Sequence, residues 1–338
     1  MPKLCSFVLV LALAGSSAAT GQSGPPVIGY GYTFPTPLYA APGQLLTLVV
    51  QEELDSNLTQ IVRAPGNADM PTTLAGISAS YSQSTTRPAP ILEVHPFLTC
   101  GGPVSRIACS SLLAITIQIP LDAQSCPQCS PLGGIAEGFL AVVQGGAAGL
   151  GIDVQPFADQ VHIVTNCDPF MTSANSAAFN PTGLPCPSIV AHPDGSLVSV
   201  TNPATVGEEL VAYAVGLGQT TPPSITGQLV TTSAPTQTAF ILDFNYRPNA
   251  LATKPPPNGP QPLFAGTTEG FVGLYQINFV VPAVPAGTSP CVDVSKLFPP
   301  GQNAVQSNLT VSVGGMFSFD GARICVAVPD PQSSLQQD

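Results

Sequence analysis

Residues 201–229 read TNPATVGEELVAYAVGLGQTTPPSITGQL. Gly207 precedes a run in which Leu210, Ala212 and Ala214 alternate with Val211, Tyr213 and Val215, and Gly216, Gly218, Pro222 and Pro223 follow it. An alternation with period two places successive side chains on opposite faces of a strand, and both faces here are apolar. Glycines at either end let the chain enter and leave through conformations closed to larger residues. The stretch therefore reads as turn, strand and exit, with no cleft chemistry.

The same grammar recurs outward. Strand-like runs bounded by turn formers include LLTLVVQEEL (45–54), TLAGISASYSQ (73–83), PILEVHPFL (90–98), LLAITIQIP (112–120), GFLAVVQGG (138–146), LGIDVQPFA (150–158) and QVHIVTNC (160–167). Residues 168–187 read as a loop or linker, HPDGS (192–196) as a tight turn and LVSVTN (197–202) as a strand. After the opening stretch come QTAFILDFNY (237–246), LFAGTTEGFVGLYQINFVVP (263–282), SNLTVSVGG (307–315) and GARICVAVP (321–329). With 38 prolines and 32 glycines, long helices are nearly excluded. The pattern predicts an all-β chain of two tandem β-sandwich domains, residues 24–185 and 186–330, with a disordered tail at 331–338. An internal echo links the halves: APGQLLTLVVQ (41–51) parallels TVGEELVAYAVGLG (205–218), and LAITIQIP (113–120) parallels LYQINFVVP (274–282).

Lys3, the apolar run CSFVLVLALAG (5–15) and the small residues at 16–19 form the n-region, h-region and cleavage zone of a secretory signal, predicted over residues 1–23. The apolar core is shorter than the roughly 20 residues that span a bilayer, so the mature chain is expected to carry no integral membrane segment. Eight Lys plus Arg against 19 Asp plus Glu argue against nucleic acid as a partner, because phosphate backbones are held by basic charge. Cys5 falls in the signal, leaving Cys100, Cys109, Cys126, Cys129, Cys167, Cys186, Cys291 and Cys325 as disulfide candidates in an exported chain. Neighbour pairing would join 100 with 109, 126 with 129, 167 with 186, and 291 with 325, one of 105 connectivities. CPQC (126–129) sits among prolines instead of opening a helix, which disfavours redox activity.

Chemistry-bearing motifs are sparse. His95 follows Glu93 by two positions, which on a strand sets both on one face, and His162 follows Asp159. No HExxH, GxSxG or Gly-Lys-Ser/Thr ending occurs, and GGAAGLG (145–151) reads as a hairpin turn. His192, Asp194 and Ser196 stand together in HPDGS, too close in sequence for an easy triad. Carboxylate pairs for glycoside hydrolysis have nine sources, Glu52, Glu53, Asp55, Glu93, Asp153, Asp159, Glu208, Glu209 and Asp243, with nothing in the sequence to choose among them. Asn57 and Asn308 satisfy the N-x-Ser/Thr glycosylation rule. No catalytic residue, metal site or cofactor is expected. Tyr30, Tyr32 and Phe34, crowded with Tyr39 at the start of the mature chain, and Tyr246, beside Asp243 and Arg247, are the ligand-binding candidates, because uncharged aromatic surroundings suit stacking on sugars or burial against another chain.

NPATVGEELVAYAVGLGQTTPP, LFAGTTEGFVGLYQINFVVPAVPAG and SNLTVSVGG together resemble the Solibacter-type C-terminal domain, a family of exported bacterial proteins, over residues 188–330. The carrying positions are Val206 and Gly207, Gly216 and Gly218, Phe264 to Gly266, Gly270 to Asn278, and Ser307, Asn308, Gly314 and Gly315. The resemblance implies an immunoglobulin-like β-sandwich and no catalytic role. The insert RPNALATKPPPNGPQP (247–262) and the Cys291 and Cys325 pair depart from the family pattern. The expected function is a secreted adhesive, binding or structural protein outside the cell, at its surface or in the periplasm, with an extracellular glycan or a surface protein as partner. A secreted polysaccharide hydrolase and an inert spacer are the alternatives.

Overall fold

The structure, a computed structural model, describes residues 27–30, 38–51, 58–101, 108–125, 138–144, 147–148, 152–171, 186–297 and 304–328. These residues form an all-β chain in which the only helical elements are two 3-10 turns, Pro169–Met171 and Ser295–Leu297. No helix among them is long and apolar enough to cross a membrane.

In the first half, one sheet has the order β1 (Val27–Tyr30), β3 (Leu45–Gln51), β9 (Ala108–Gln118), β8 (Ile91–Gly101) and β4 (Val62–Arg63). A second runs β2 (Leu38–Ala40), β12 (Ile152–Pro156), β10 (Gly138–Gln144), β6 (Ile77–Ser82) and β5 (Thr73–Leu74), with β7 (Thr86–Pro88) on β6 and β11 (Ala147–Ala148) on β10. The β2–β12 pair is parallel and the other strand pairs are antiparallel. Alternate residues of both sheets meet in one buried cluster: Leu46 and Leu48 of β3 and Ile115 and Ile117 of β9 pack with Tyr81 of β6, Leu140 of β10 and Val154 of β12. This is a sandwich-like arrangement, with the core between two sheets.

The second half repeats it with smaller sheets. β13 (His162–Ile163), β15 (Glu209–Val215), β18 (Tyr275–Val280) and β17 (Phe264–Thr267) form one, with β14 (Val190–Ala191) also on β15; β16 (Ile241–Asn245), β21 (Leu309–Gly314) and β22 (Phe319–Ile324) form the other. Leu210, Ala212 and Ala214 face Leu242, Val311, Val313 and Ile324 in a second buried cluster. β19 (Val292–Asp293) pairs separately with β20 (Val305–Gln306). The echoed segments take matching places: Gly43 (φ 79°) leads into β3, which pairs with β9, and Gly207 (φ 81°) leads into β15, which pairs with β18.

Both faces of β15 are used. Its Val215 and Tyr213 join Leu45, Met70, Leu92, Val164 and Val272 in a third cluster that takes residues from both halves. Sheet membership changes between Pro156 and His162, upstream of residue 186, because Gln160 to Val164 lies along β15: the Gln160 N–H donates to the Gly216 carbonyl at 2.8 Å and the Val164 N–H to the Tyr213 carbonyl at 2.9 Å. Gly216 (φ 78°) and Gly218 (φ 85°) permit this approach, since a Cβ on either would stand 2.0 Å from the Gln160 oxygen or 2.1 Å from the Ala158 oxygen.

Residues 197–202, expected as a strand, form a folded loop instead. The Ser199 N–H donates to the Asn202 carbonyl at 2.9 Å, and the Ser199 hydroxyl accepts the Asn202 N–H at 3.0 Å, so local polar side chains divert the backbone from a ladder. The insert at 247–262 is a strap over the β16–β21–β22 sheet: the Thr253 N–H donates to the Ser312 hydroxyl at 3.1 Å, the Thr310 hydroxyl to the Ala250 carbonyl at 2.8 Å and the Leu242 N–H to the Pro260 carbonyl at 2.8 Å. Disulfides join Cys167 to Cys186 and Cys291 to Cys325, with Cα atoms 5.7 and 5.3 Å apart. The β8–β9 register sets Cys100 opposite Cys109. Gly218→Ala combines a left-handed backbone with a steric overlap, so it is expected to destabilise the fold by about 2 kcal/mol or more. Urea unfolding checks this, and an unchanged midpoint refutes the close approach.

Candidate binding cleft between the two halves

A concavity lies on the seam between the halves, a cleft of about 570 Å³ whose walls include Pro88, Pro90 and Leu121 from the first half and Gln219, Ile225 and Gln237 from the second. Its two sides are tied across the seam. The Leu121 N–H donates to the Thr226 hydroxyl at 2.9 Å, the Gln219 amide to the Leu121 carbonyl at 3.0 Å, and the Gly227 N–H to the Gln118 side-chain oxygen at 2.6 Å. Further along, Met70 donates to the Gly227 carbonyl and Leu229 to Asp69. Arg87 and Asp122, both in the wall, pair at 2.5 Å, and the Arg87 guanidinium lies 5.9 Å from the centre of the Tyr81 ring.

The polar groups of this wall are only partly spent. Gln219 and Gln237 each commit an amide N–H to a backbone carbonyl, leaving both Oε1 acceptors without a donor among the described residues. The same cleft is lined by Pro88, Pro90, Pro120 and Pro223 and by the 61% exposed Ile225. Amide and hydroxyl groups set on a rigid apolar wall are what a small polyhydroxylated ligand needs, and seams between folded units are frequent sites of such pockets.

The histidines serve structure. His192 presents Nδ1 to Glu208 at 2.6 Å and Nε2 to the Asn202 carbonyl at 3.1 Å, while the Ser196 hydroxyl donates to Asp194 at 2.7 Å, so HPDGS is a turn in which the histidine is engaged away from the Ser196–Asp194 pair. His162 does not meet Asp159. Its Nε2 stands 3.0 Å from Asp168 and its Nδ1 3.3 Å from Asp320. Burial opposes charge on this ring, but the two carboxylates outweigh it and push its pKa up to about 9. Glu93 and His95 do share a buried site on β8, with Arg63 paired to Glu93. Burial drives the Glu93 carboxyl up and the His95 ring down, the Arg63 guanidinium moderating the first and reinforcing the second.

Asp159 has another task. Fully buried, it accepts the backbone N–H groups of Met316, Phe317 and Ser318 and the Ser318 hydroxyl, at 2.7 to 3.1 Å. That clamp seats the β21–β22 turn so that Phe317 stacks on Phe157 at 5.1 Å, which in turn meets Tyr39 at 5.2 Å. Of the other aromatic candidates, Tyr246 is half-buried against the second core and donates its hydroxyl to the Pro282 carbonyl at 2.7 Å, away from the seam cleft. Tyr32, Phe34, Cys126, Cys129, Asn57, Glu52, Glu53 and Asp55 lie outside the described residues, as do the side chains of Tyr30, Cys100 and Cys109. Asn308 is 1% exposed and exchanges hydrogen bonds with both backbone groups of Val326, so it is closed to glycosylation in the folded chain.

Among the described residues, no group of three or more His, Cys, Asp or Glu side chains is placed to hold a metal ion. Sequence reasoning missed the cleft, whose walls come largely from the end of β7 with Pro90, from residues 120–122 and from residues 219–226; proline density marked these segments without indicating that they meet. No protein-family model matches the chain, and no curated protein is significantly similar to it.

The His162 pair carries a pH signature. A raised histidine pKa gives stability that is complete below about 6.5, the unfolded value, and is lost as pH rises through about 9. The lowered Asp168 pKa, held down against burial by His162 and Thr165, acts oppositely, losing its contribution in acid. The thermal midpoint is expected to fall between about pH 6.5 and 9, and His162→Gln to flatten that slope; a slope identical in the variant refutes the assignment.

Proposed function

We propose that the chain is an exported, non-catalytic recognition protein of two tandem immunoglobulin-like sandwiches, as the Solibacter-type resemblance implies, and that it holds a carbohydrate in the cleft on their seam. The observation that carries this reading is the pairing of unspent carboxamide acceptors on Gln219 and Gln237 with the apolar wall of Pro88, Pro90 and Ile225. Sugar rings alternate hydroxyl edges with apolar C–H faces and need both kinds of partner. A wall held by cross-seam hydrogen bonds asks little ordering on binding.

Hydrolysis is less well supported at this site. Retaining and inverting glycosidases work with two carboxyl groups flanking the bond, and the cleft offers Asp122, already paired with Arg87. The described carboxylates proposed from sequence do not line this cleft: Glu93 pairs with Arg63, Asp159 holds the β21–β22 turn, Glu208 meets His192, Glu209 meets Asn278, Asp243 meets Thr253, and Asp153 is exposed on β12. A protein partner is the second reading, favoured by the exposed Met316, Phe317 and Phe319 at the β21–β22 turn, since clamped apolar residues suit an anchor.

The test is retention on a broad glycan array with soluble products read from the same wells. Retention of uncleaved glycan is expected, weakened roughly tenfold by Gln237→Ala or Ile225→Ala. Released fragments would convert the reading to a hydrolase. Silence on every glycan, or retention indifferent to both substitutions, overturns the cleft as the site.

A further inference from the structure

A second cavity, of about 380 Å³, lies within the second half, away from the seam. Both described disulfides contribute to its wall, through Cys186 and Cys325. Three segments converge there: residues 186–189, the loop 197–201, and the β19–β20 pair with the end of β22. The cross-links explain how a wall of loops keeps its shape. Cys167–Cys186 fixes the segment that enters β14, and Cys291–Cys325 fastens the start of β19 to the end of β22. The Arg323 N–H also donates to the Ser188 hydroxyl at 3.0 Å, closing the edge of β22 against the first segment.

The chemistry of the lining is divided. Leu197, 52% exposed, stands with Ile189, Val198 and Val305 as an apolar side. Arg323 and Asp293 line the same cavity, yet neither takes part in any ion pair within 4 Å among the described residues. Asp293 accepts the Ser295 N–H at 2.8 Å, which orients its carboxylate, and that contact with the Ser295 side chain and backbone keeps it ionised below the usual range. In a chain with 8 Lys plus Arg in 338 residues, a guanidinium placed in a cavity without its own carboxylate is unusual. Opposite charges that line one small cavity without pairing, Arg323 half-buried and Asp293 exposed at its edge, suit a ligand that carries both signs.

We infer that this disulfide-walled cavity binds a small amphipathic zwitterion, an apolar α-amino acid, with its carboxylate on Arg323, its ammonium on Asp293 and its side chain against Leu197, Val198 and Val305. The guanidinium presents a planar fork matched to a carboxylate. The volume suits a ligand of this size and excludes a folded partner. The cavity is separate from the seam cleft, so this assignment and the carbohydrate reading stand or fall independently.

The test is isothermal titration of the disulfide-intact full chain with L-leucine, L-leucinamide and N-acetyl-L-leucine. Leucine is expected to bind, and both analogues, each lacking one charge, to bind roughly tenfold more weakly or worse, the loss of one charge-assisted contact. Arg323→Gln and Asp293→Asn are expected to reproduce the analogue effects, Arg323→Gln lowering the preference for leucine over leucinamide and Asp293→Asn that over N-acetyl-leucine. Should a variant fail to fold, the analogues on the unaltered chain decide the matter alone. No leucine binding up to about 10 mM, or equal binding of all three compounds, overturns the proposal.

Discussion

One buried carboxylate governs how the chain passes from its first pair of sheets to its second. Asp159, with no exposed surface, is satisfied by three backbone N–H groups and one hydroxyl of the β21–β22 turn, which lies more than 150 residues away. A buried carboxyl group without such partners would be costly, so the crossing segment and the distant turn depend on each other. On its other side the same segment lies against Gly216 and Gly218, where the missing side chains let two backbones touch. Gly315 completes the clamp, since a Cβ there would stand 2.6 Å from the Asp159 carboxyl carbon.

The crossing has consequences at the seam. Because residues 160–164 add to the sheet of β15, the outer face of that sheet is brought against Leu45, Met70 and Leu92 of the first half. Tyr275 threads through this junction: fully buried, it donates its hydroxyl to the Gly218 carbonyl at 2.6 Å and passes close to Gly43, where an added Cβ would stand 3.0 Å from its oxygen. The cleft is what remains where the proline-rich turns of the two halves meet without filling the space. Its rigidity comes from backbone groups that find side-chain partners across the seam, so the polar accounting that closes the interface also shapes the site.

The second cavity follows a different logic. Its walls are partly loops and short strands, which carry little hydrophobic burial to hold them, and two covalent links fasten them. A chain poor in charged residues also has few ways to neutralise an ion once it is placed, and Arg323 and Asp293 line this cavity without pairing with each other. The strap at 247–262 is the contrasting case. It carries Pro255 to Pro257 and still lies flat on the sheet, because Gly314 and Gly321 leave room beneath Pro255 and Ala252.

Much of the secondary structure was legible in the sequence, because alternation of apolar side chains is a local property: β3, β6, β10, β15, β18 and β21 fall within the runs read as strands, while β8 and β9 overlap theirs and extend beyond them. Residues 197–202 misled, since their alternation is overruled by Ser199 and Asn202 bonding to nearby backbone. Partners of His162 and Asp159 were unreadable for a related reason. A carboxylate close in sequence is only one competitor, and Asp320 and the Met316–Ser318 turn win by arriving from another sheet. The sequence by itself determined that this chain is built of short strands punctuated by turns, through side-chain periodicity and the conformational limits of glycine and proline. Only the tertiary structure decided which turns face one another, and hence where the cavities lie, because closure across a seam depends on contacts between residues a hundred or more positions apart.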